Sequence, residues 1–167
     1  MATAPVSTFE DALGAHGVSC TRTTPDGLAD ALADVVRDPA VGVALPFEGA
    51  TYPEAVAVDP TPAELEAART GVTPASFAVA NYGSLALPST ADGAEPVSLY
   101  PELHVAVVAA DDVVPDMPTA FDRFGETFRE TAGSAIVATG PSATADMGEL
   151  VLGAHGPEEV HVVILDE

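Results

Sequence analysis

Residues 103–138 read LHVAVVAADDVVPDMPTAFDRFGETFRETAGSAIVA, and this stretch decides the fold class. An apolar run of strand character, Leu103–Ala109, is followed by a helix that begins around Pro118 and ends near Gly133. A second apolar run, Ser134–Ala138, comes directly after that helix. Strand, helix and strand in this order are typical of α/β proteins.

The same alternation extends towards both ends of the chain. The runs of strand character are Val41–Pro46, Ala55–Val58, Phe77–Leu87, Leu103–Ala109, Ser134–Ala138 and Val160–Leu165. Helix starts are signalled by Ser7–Glu10, Thr24-Pro25, Thr61–Glu64 and Asp116–Pro118. We therefore predict an α/β fold with a mostly parallel sheet and helices on both faces.

Three smaller features complete the prediction of the elements. Gly14 or Gly17 ends the first helix, and Gly71 ends the third. Phe121, Phe124 and Phe128 form a stripe that we assign to core packing. The insertion Ser89–Val97, rich in Pro, Asp and Gly, is expected to turn one hairpin within the alternating pattern.

Length and composition predict a single domain, residues 1–167. A chain of 167 residues can bury a substantial core, and its 47% hydrophobic content excludes disorder as the default. A single cysteine, Cys20, cannot form an internal disulfide. Nor can one thiolate hold an iron–sulfur cluster or a structural zinc ion, so we expect no such group on this chain.

The charge is strongly acidic. The chain has 26 Asp and Glu residues against five basic ones, all of them Arg, for a formal net charge of −21. Such a charge repels itself at ordinary ionic strength, whereas molar salt screens it. The acids are spread along the whole chain, which indicates adaptation to a salty cytosol. No basic patch is present, so nucleic acid is not expected as a partner.

The sequence predicts neither a secretory signal nor a membrane span. Met1–Thr8 has no charged segment followed by an apolar one, which favours a cytoplasmic location. The uncharged stretch Thr70–Ala91 is long enough to cross a bilayer, but Pro74, Asn81 and Pro88 interrupt it. We expect strands and turns there.

Two long stretches without charge are conspicuous in so acidic a chain. Thr70–Ala91 and Thr131–Ala145 both end in Gly, Ser and Thr residues after a predicted strand. Open α/β sheets bind ligands in loops that follow strands. The two stretches are therefore either ligand loops or simply the central strands with their turns, and these two interpretations are compatible.

The second of these stretches carries a family resemblance. Residues 138–146 read ATGPSATAD, residues 153–157 read GAHGP, and the terminal strand Val160–Leu165 follows. Earlier in the chain, residues 75–87 read ASFAVANYGSLAL. This order of motifs resembles the LUD-domain family, of the type called lactate utilization protein C (LutC). The matching material extends from Thr70 to the C-terminus.

The resemblance implies both a fold and a function. The fold is the one shared by glucosamine-6-phosphate deaminase, ribose-5-phosphate isomerase and CoA-transferase-like proteins. The function is that of a non-redox component in the oxidation of lactate to pyruvate, with the iron–sulfur clusters on partner subunits. Together with the acidity, it suggests a haloarchaeal member. The chain departs from the family in two places, having Asn81-Tyr82 where an acid is often found and Ala143 where an arginine is often found.

We hypothesise that the two uncharged loops meet to bind a small anionic ligand, a carboxylate or a phosphate. Glycines permit sharp turns, hydroxyls donate hydrogen bonds, and amides at a helix start attract anions. His155 is the candidate acid or base, and Asp146 either orients it or caps a helix. The candidate ligand-binding residues are Gly83, Ser84, Gly140, Pro141, Ser142, Thr144 and Gly156.

Several alternatives remain open from the sequence. One alternative is that Ser142 and Thr144 serve only as helix caps. A hydrolase triad of Ser142, His155 and Asp146 lacks the usual G-x-S-x-G turn. A metal site built on His104, His155 and His161 lacks compact spacing. At the level of function, the rivals are a free-standing enzyme or binding protein for a phosphorylated or CoA-linked metabolite, and a purely structural assembly subunit.

Overall fold

The computed structural model describes residues 4–167, with the backbone alone for Asp146. In this part of the chain the α-helices are α1 (Ala4–Ala15), α2 (Leu28–Ala33), α3 (Pro62–Ala67), α4 (Ala94–Leu99) and α5 (Met117–Thr131). The strands are β1 (Ser19–Thr23), β2 (Ala40–Gly42), β3 (Val56–Val58), β4 (Thr70–Pro74), β5 (Phe77–Val79), β6 (Ser84–Pro88), β7 (Leu103–Ala109), β8 (Val113–Val114), β9 (Ala135–Thr139), β10 (Ala143–Asp146), β11 (Glu149–Leu152) and β12 (Glu159–Leu165). Short 3-10 helices cover Pro25–Gly27, Ala80–Tyr82 and Ala110–Asp112.

The main sheet has six strands in the order β1-β12-β7-β4-β2-β3, and all of its neighbouring pairs are parallel. The neighbouring interior strands β12 and β7 are its longest and most apolar, as expected for parallel strands buried on both faces. The prediction of an α/β fold with a mostly parallel sheet is confirmed.

Side chains alternate between the two faces of this sheet. Even-numbered residues of β7 and β12, such as Ala106 and Val162, pack with α1 and a second sheet. Odd-numbered residues, such as Val105 and Val163, pack against Leu28 of α2. The predicted helices on both faces are therefore present.

The second sheet, in the order β8-β5-β6-β9, covers part of the α1 face. The β5–β6 and β6–β9 pairs are antiparallel, and β5 pairs with β8 in parallel. Helix α5 packs on the outer side of this sheet. There the Phe124 ring contacts the Phe77 ring at a tilt and stacks on the Phe128 ring. Phe121 does not join them, since it is 67% exposed, so the predicted stripe is only partly core.

Four boundary predictions are corrected by the structure. Ser7–Glu10 lies inside α1, where the Thr8 hydroxyl donates to the Ala4 carbonyl instead of capping a helix start. Gly71 lies in β4 and does not end α3. Phe77–Leu87 is a hairpin with a turn at Ala80–Gly83. The insertion Ser89–Val97 contains the start of α4, which returns the chain from the second sheet to the first.

Among residues 4–167, no helix combines the length and the apolar composition needed to cross a membrane.

Candidate functional site

A cavity of about 440 Å³ lies between the two sheets, beside the amino ends of β7 and β12. Its walls include His104 and Val160, the second residues of those strands, together with parts of β6, β9 and α4. Residues 140–143 and 155–157 close one side. We expected a site in loops after parallel strands. The cavity instead lies at the opposite end of the parallel strands, because the Gly140 loop follows β9 of the antiparallel second sheet.

Five of the nine predicted site residues line this cavity, namely Gly140, Pro141, Ser142, His155 and Gly156. Backbone hydrogen bonds hold their two segments together: the Ser142 amide donates to the Pro157 carbonyl, and the Gly153 amide donates to the Ser142 carbonyl, both at 2.9 Å. The contact is close enough to require Gly156, where an added Cβ would lie 2.9 Å from the Cβ of Ser142.

Gly83 and Ser84 lie next to this region but not on the cavity wall. The strand pairing places Ser84 opposite Thr139, and their hydroxyl oxygens are 2.7 Å apart. Gly83 has a φ of +63° and packs against α1, where an added Cβ would lie 3.0 Å from the carbonyl carbon of Ala12. The two uncharged loops therefore adjoin: Ser84 contacts Thr139 of the cavity wall, whereas Gly83 packs against α1.

Thr144 and Asp146 lie in β10, which pairs only with β11 among the described strands. The expected helix start is thus wrong: the segment is a β-hairpin whose turn, Met147-Gly148, has positive φ at both residues, +47° and +84°. Helix capping by Ser142, Thr144 or Asp146 is excluded with it. Neither Thr144 nor Asp146 is part of the cavity wall, and the Asp146 side chain lies outside what the structure describes.

Two buried polar residues of the cavity were not predicted as site residues. Ser98 of α4 is 1% exposed, and its hydroxyl donates to the Glu95 carbonyl at 2.7 Å. His104 is 2% exposed, and its Nε2 lies 2.8 Å from the Thr73 hydroxyl oxygen. Burial lowers the pKa of His104 to about 4, so the ring is neutral at neutral pH. The signal in the sequence was one histidine in an otherwise apolar strand, LHVAVVA.

Charged side chains are missing from the described lining of the cavity, which holds no Arg, Asp or Glu. Four of the five arginines instead pair with carboxylates elsewhere: Arg22 with Asp166, Arg37 with Glu159, Arg69 with Glu102, and Arg123 with Asp112. The Ser142 amide, which could donate to an anion, already donates to the Pro157 carbonyl. The expected carboxylate or phosphate ligand therefore meets no fixed positive charge here.

The described residues give no support to the triad or to the metal site. Ser142 makes no hydrogen bond to His155 among the side chains that the structure describes. His104 and His161 face opposite sides of the main sheet, and the ring of His161 is held by Ser19 and Thr21 at 2.7 and 3.0 Å. Among the described side chains, which exclude that of Asp146, no group of three or more His, Cys, Asp or Glu residues is placed to hold a metal ion.

Comparison with known proteins identifies the family. The model of the LUD domain matches residues 10–165, nearly the whole chain. The chain belongs to the LUD-domain family. Lactate utilization protein C of Deinococcus radiodurans is 30% identical to this LUD domain over 167 residues, covering 94% of this chain and 77% of that protein.

Other relatives match over a shorter range. Lactate utilization protein C of Oceanobacillus iheyensis is 29% identical over 105 residues, which cover 60% of this chain and 45% of that protein. Lactate utilization protein B of Bacillus pumilus is 35% identical over 100 residues, which cover 58% of this chain and 20% of that protein. The LUD domain thus spans less than half the length of these two relatives.

A solved structure shows the same fold. The crystal structure of a DUF162 family protein from Deinococcus radiodurans superposes with a TM-score of 0.72, covering 96% of each chain at 22% sequence identity. Within this fold, the segments 140–142 and 155–156 that carried the family resemblance form one side of the cavity.

The cavity of this LUD domain has the composition of a small-molecule binding site. The described side chains place no base within hydrogen-bonding distance of the Ser142 hydroxyl. A partly open cavity of this size, with mostly apolar walls and a few polar groups, is typical of small-molecule sites.

Proposed function

We propose that this chain is a non-redox component of a lactate-utilisation system and that its cavity binds a small molecule in that system. The observation that supports this most is the 30% identity to lactate utilization protein C over 94% of the chain. The cavity supports the second part, because its wall contains the motif residues at 140–142 and 155–156.

The proposal assigns the redox chemistry to partner subunits. A chain with one cysteine cannot supply the three or four thiolates that an iron–sulfur cluster requires. Cys20 also lies half-buried in β1, and burial raises the pKa of its thiol, which disfavours the thiolate form. Partners that carry iron–sulfur clusters would therefore transfer the electrons of lactate oxidation.

The rival hypothesis, a free-standing protein for a phosphorylated or CoA-linked metabolite, has less support. Such ligands carry several negative charges and are usually held by Arg, Lys or a helix N-terminus. The described cavity wall has no arginine, and a β-hairpin replaces the expected helix start beside Ser142. That this chain shares the fold of glucosamine-6-phosphate deaminase, ribose-5-phosphate isomerase and CoA-transferase-like proteins stays a prediction.

Growth on lactate combined with affinity purification tests the proposal. A strain lacking the gene should grow poorly on lactate and normally on pyruvate, and the gene supplied on a plasmid should restore growth. The tagged chain, purified from lactate-grown cells, should bring down proteins that contain iron and acid-labile sulfide. Normal growth of the deletion strain on lactate, with no such proteins recovered, would contradict the proposal.

Adaptation to high salt and a cytoplasmic, haloarchaeal setting belong to the same proposal. They are supported by the net charge of −21 and the absence of lysine from the sequence. The relatives compared above are bacterial, so the origin of the chain stays a prediction. The salt dependence of stability tests the physical part.

A further inference from the structure

A buried histidine faces the cavity with one ring nitrogen free. Residue 104 is even-numbered in β7 and so points towards the second sheet, into the space between the layers. Its Nε2 is paired with the Thr73 hydroxyl, and Nδ1 has no hydrogen bond to any described residue. No fully enclosed side-chain nitrogen or oxygen among the described residues lacks a partner, which indicates that Nδ1 keeps a small accessible surface, as the 2% exposure of His104 allows. The cavity is the space that this ring lines.

The rest of the cavity is mainly apolar. Its inner walls are formed by Leu85 and Leu87 of β6, Ile136 and Ala138 of β9, Leu99 of α4 and Val160 of β12. The hydroxyl of Ser98 is used within its own helix, and that of Thr139 pairs with Ser84. His104 is therefore the deep polar group that a ligand can still engage, while Ser142 and the exposed His155 lie on the side closed by the loops.

The charge of the surroundings selects against an ionic ligand. The described lining holds no arginine and no carboxylate, so neither an anion nor a cation would find a counter-charge of fixed sign. The chain as a whole carries −21 charges, which disfavours an anion further. The neutral imidazole of His104 has one donor and one acceptor nitrogen. Its Nδ1 can accept from a ligand hydroxyl in one tautomer, and in the other it can donate to a hydroxyl or a carbonyl.

We infer that the cavity is a binding site for an uncharged, mainly apolar small molecule whose hydroxyl or carbonyl group meets the free ring nitrogen of His104. The space of about 440 Å³ exceeds what a lactate-sized molecule would fill and suits a body of one or two rings. Thr73 acts as a positioning residue, because its hydroxyl fixes the ring through Nε2 and leaves Nδ1 unpaired among the described residues. The inference names the ligand class for the cavity of the proposed function and so rests on that part of it, whereas growth on lactate and co-purification test the role in lactate utilisation separately.

Three probes of one shape test the inference. Naphthalene carries no polar substituent, 2-naphthol carries a hydroxyl and 2-naphthoate carries a carboxylate, so the three probes differ in this group alone. Their binding to the full chain can be followed by fluorescence at fixed high salt. We expect 2-naphthol to bind most tightly and 2-naphthoate at least about tenfold more weakly, because its carboxylate loses hydration without gaining a counter-charge. Tighter binding of 2-naphthoate, or no binding of any probe, would overturn the inference.

Single-residue variants test whether His104 contacts the probe and whether the probe binds in this cavity. His104→Leu should weaken 2-naphthol about tenfold, the usual effect of one lost hydrogen bond to a buried group, and leave naphthalene unchanged. His161→Leu is the matched control, a strand histidine on the opposite face whose ring is already bonded to Ser19 and Thr21, and it should change neither affinity. Ala138→Phe should fill the cavity and abolish binding of both probes.

Equal losses in the two histidine variants would show that His104 has only a structural role. If His104→Leu does not fold, Thr73→Val should show the same selective loss for 2-naphthol, and an unchanged 2-naphthol affinity in that variant would also count against the inference.

Discussion

Gly71 is a single residue on which the contact between α4 and the main sheet depends. It lies in β4, and an added Cβ there would lie 2.0 Å from the Val97 carbonyl oxygen and 3.0 Å from Pro101 Cγ. The first of these atoms is backbone, which cannot rotate away. The glycine thus lets α4 cross the sheet closely, and α4 in turn forms one wall of the cavity.

Replacing Gly71 by Ala should lower the free energy of unfolding by about 2–3 kcal/mol, the upper part of the range for overpacking, because helix and sheet must move apart. Gly14→Ala is the control: Gly14 is helical and exposed, and its added Cβ would meet nothing within 4 Å. That variant should gain about 0.5–1 kcal/mol from helix propensity. Urea denaturation at constant salt measures both, and equal effects would contradict the assigned contact.

Single residues of the site were predictable where they form a motif and not where they are isolated. The Gly140–Ser142 segment stood out because long uncharged stretches are rare in so acidic a chain, and His155-Gly156 stood out because it belongs to the motif that resembles the family. Gly83 stood out for the same reason but serves the packing of α1. His104 gave too weak a signal, because a strand histidine is usually structural and only tertiary packing brings it to the cavity.

At the level of elements, two helices begin with the same Thr-Pro pair but are capped differently. Thr61 caps α3 fully: its side chain accepts from the Glu64 amide, and the Glu64 carboxylate accepts from the Thr61 amide at 2.8 Å. Thr24 occupies the equivalent position before the 3-10 helix Pro25–Gly27, but its side chain makes no capping hydrogen bond.

The pair allows a direct test of capping in this fold. Thr61→Ala should lower the free energy of unfolding by about 1 kcal/mol, because an amide at the helix start loses its acceptor. Thr24→Ala should change it by less than about 0.5 kcal/mol, since no such bond is lost. Both substitutions remove the same atoms before a proline, and urea denaturation compares them. A larger loss at Thr24 than at Thr61 would contradict the assignment of the caps.

The elements that could be predicted are those with strong local signals. The apolar run Leu103–Ala109 coincides with β7, and the box at Thr61–Glu64 begins α3 as expected. Strand β1, with the sequence SCTRT, was missed because it is a polar edge strand whose pairing with β12 is not local. The β10–β11 hairpin was mistaken for a helix start, since Ser and Thr favour both caps and strand ends.

The second sheet could not be predicted either, because local patterns do not show which sheet a strand joins. Strand β9 follows a helix, as a parallel strand would, yet it pairs antiparallel with β6. This pairing moves the Gly140 loop to the amino ends of β7 and β12. The position of the cavity is therefore a property of the topology, not of the motif.

Over the whole molecule, acidic residues far outnumber the basic residues that could neutralise them. Four of the five arginines are already engaged in ion pairs, so most of the 26 carboxylates have no basic partner. Three of these ion pairs connect the ends of main-sheet strands or the turns beside them, namely Arg22–Asp166, Arg37–Glu159 and Arg69–Glu102. The remaining carboxylates repel one another over the surface, and this repulsion is what salt must screen.

Salt should therefore stabilise the folded chain. Raising the salt from about 0.1 M to about 1 M shortens the Debye length from roughly 10 Å to 3 Å, which should relieve repulsion on the order of 3 kcal/mol and raise the Tm by roughly 6–12 °C. The triple variant Asp11→Asn, Glu66→Gln, Glu126→Gln removes three exposed charges and should be more stable at low salt, with a shallower salt dependence. Thermal unfolding followed by circular dichroism at several KCl concentrations measures both chains. A Tm independent of salt, or an equal slope in the variant, would mean that the acidic surface is not what couples this fold to salt.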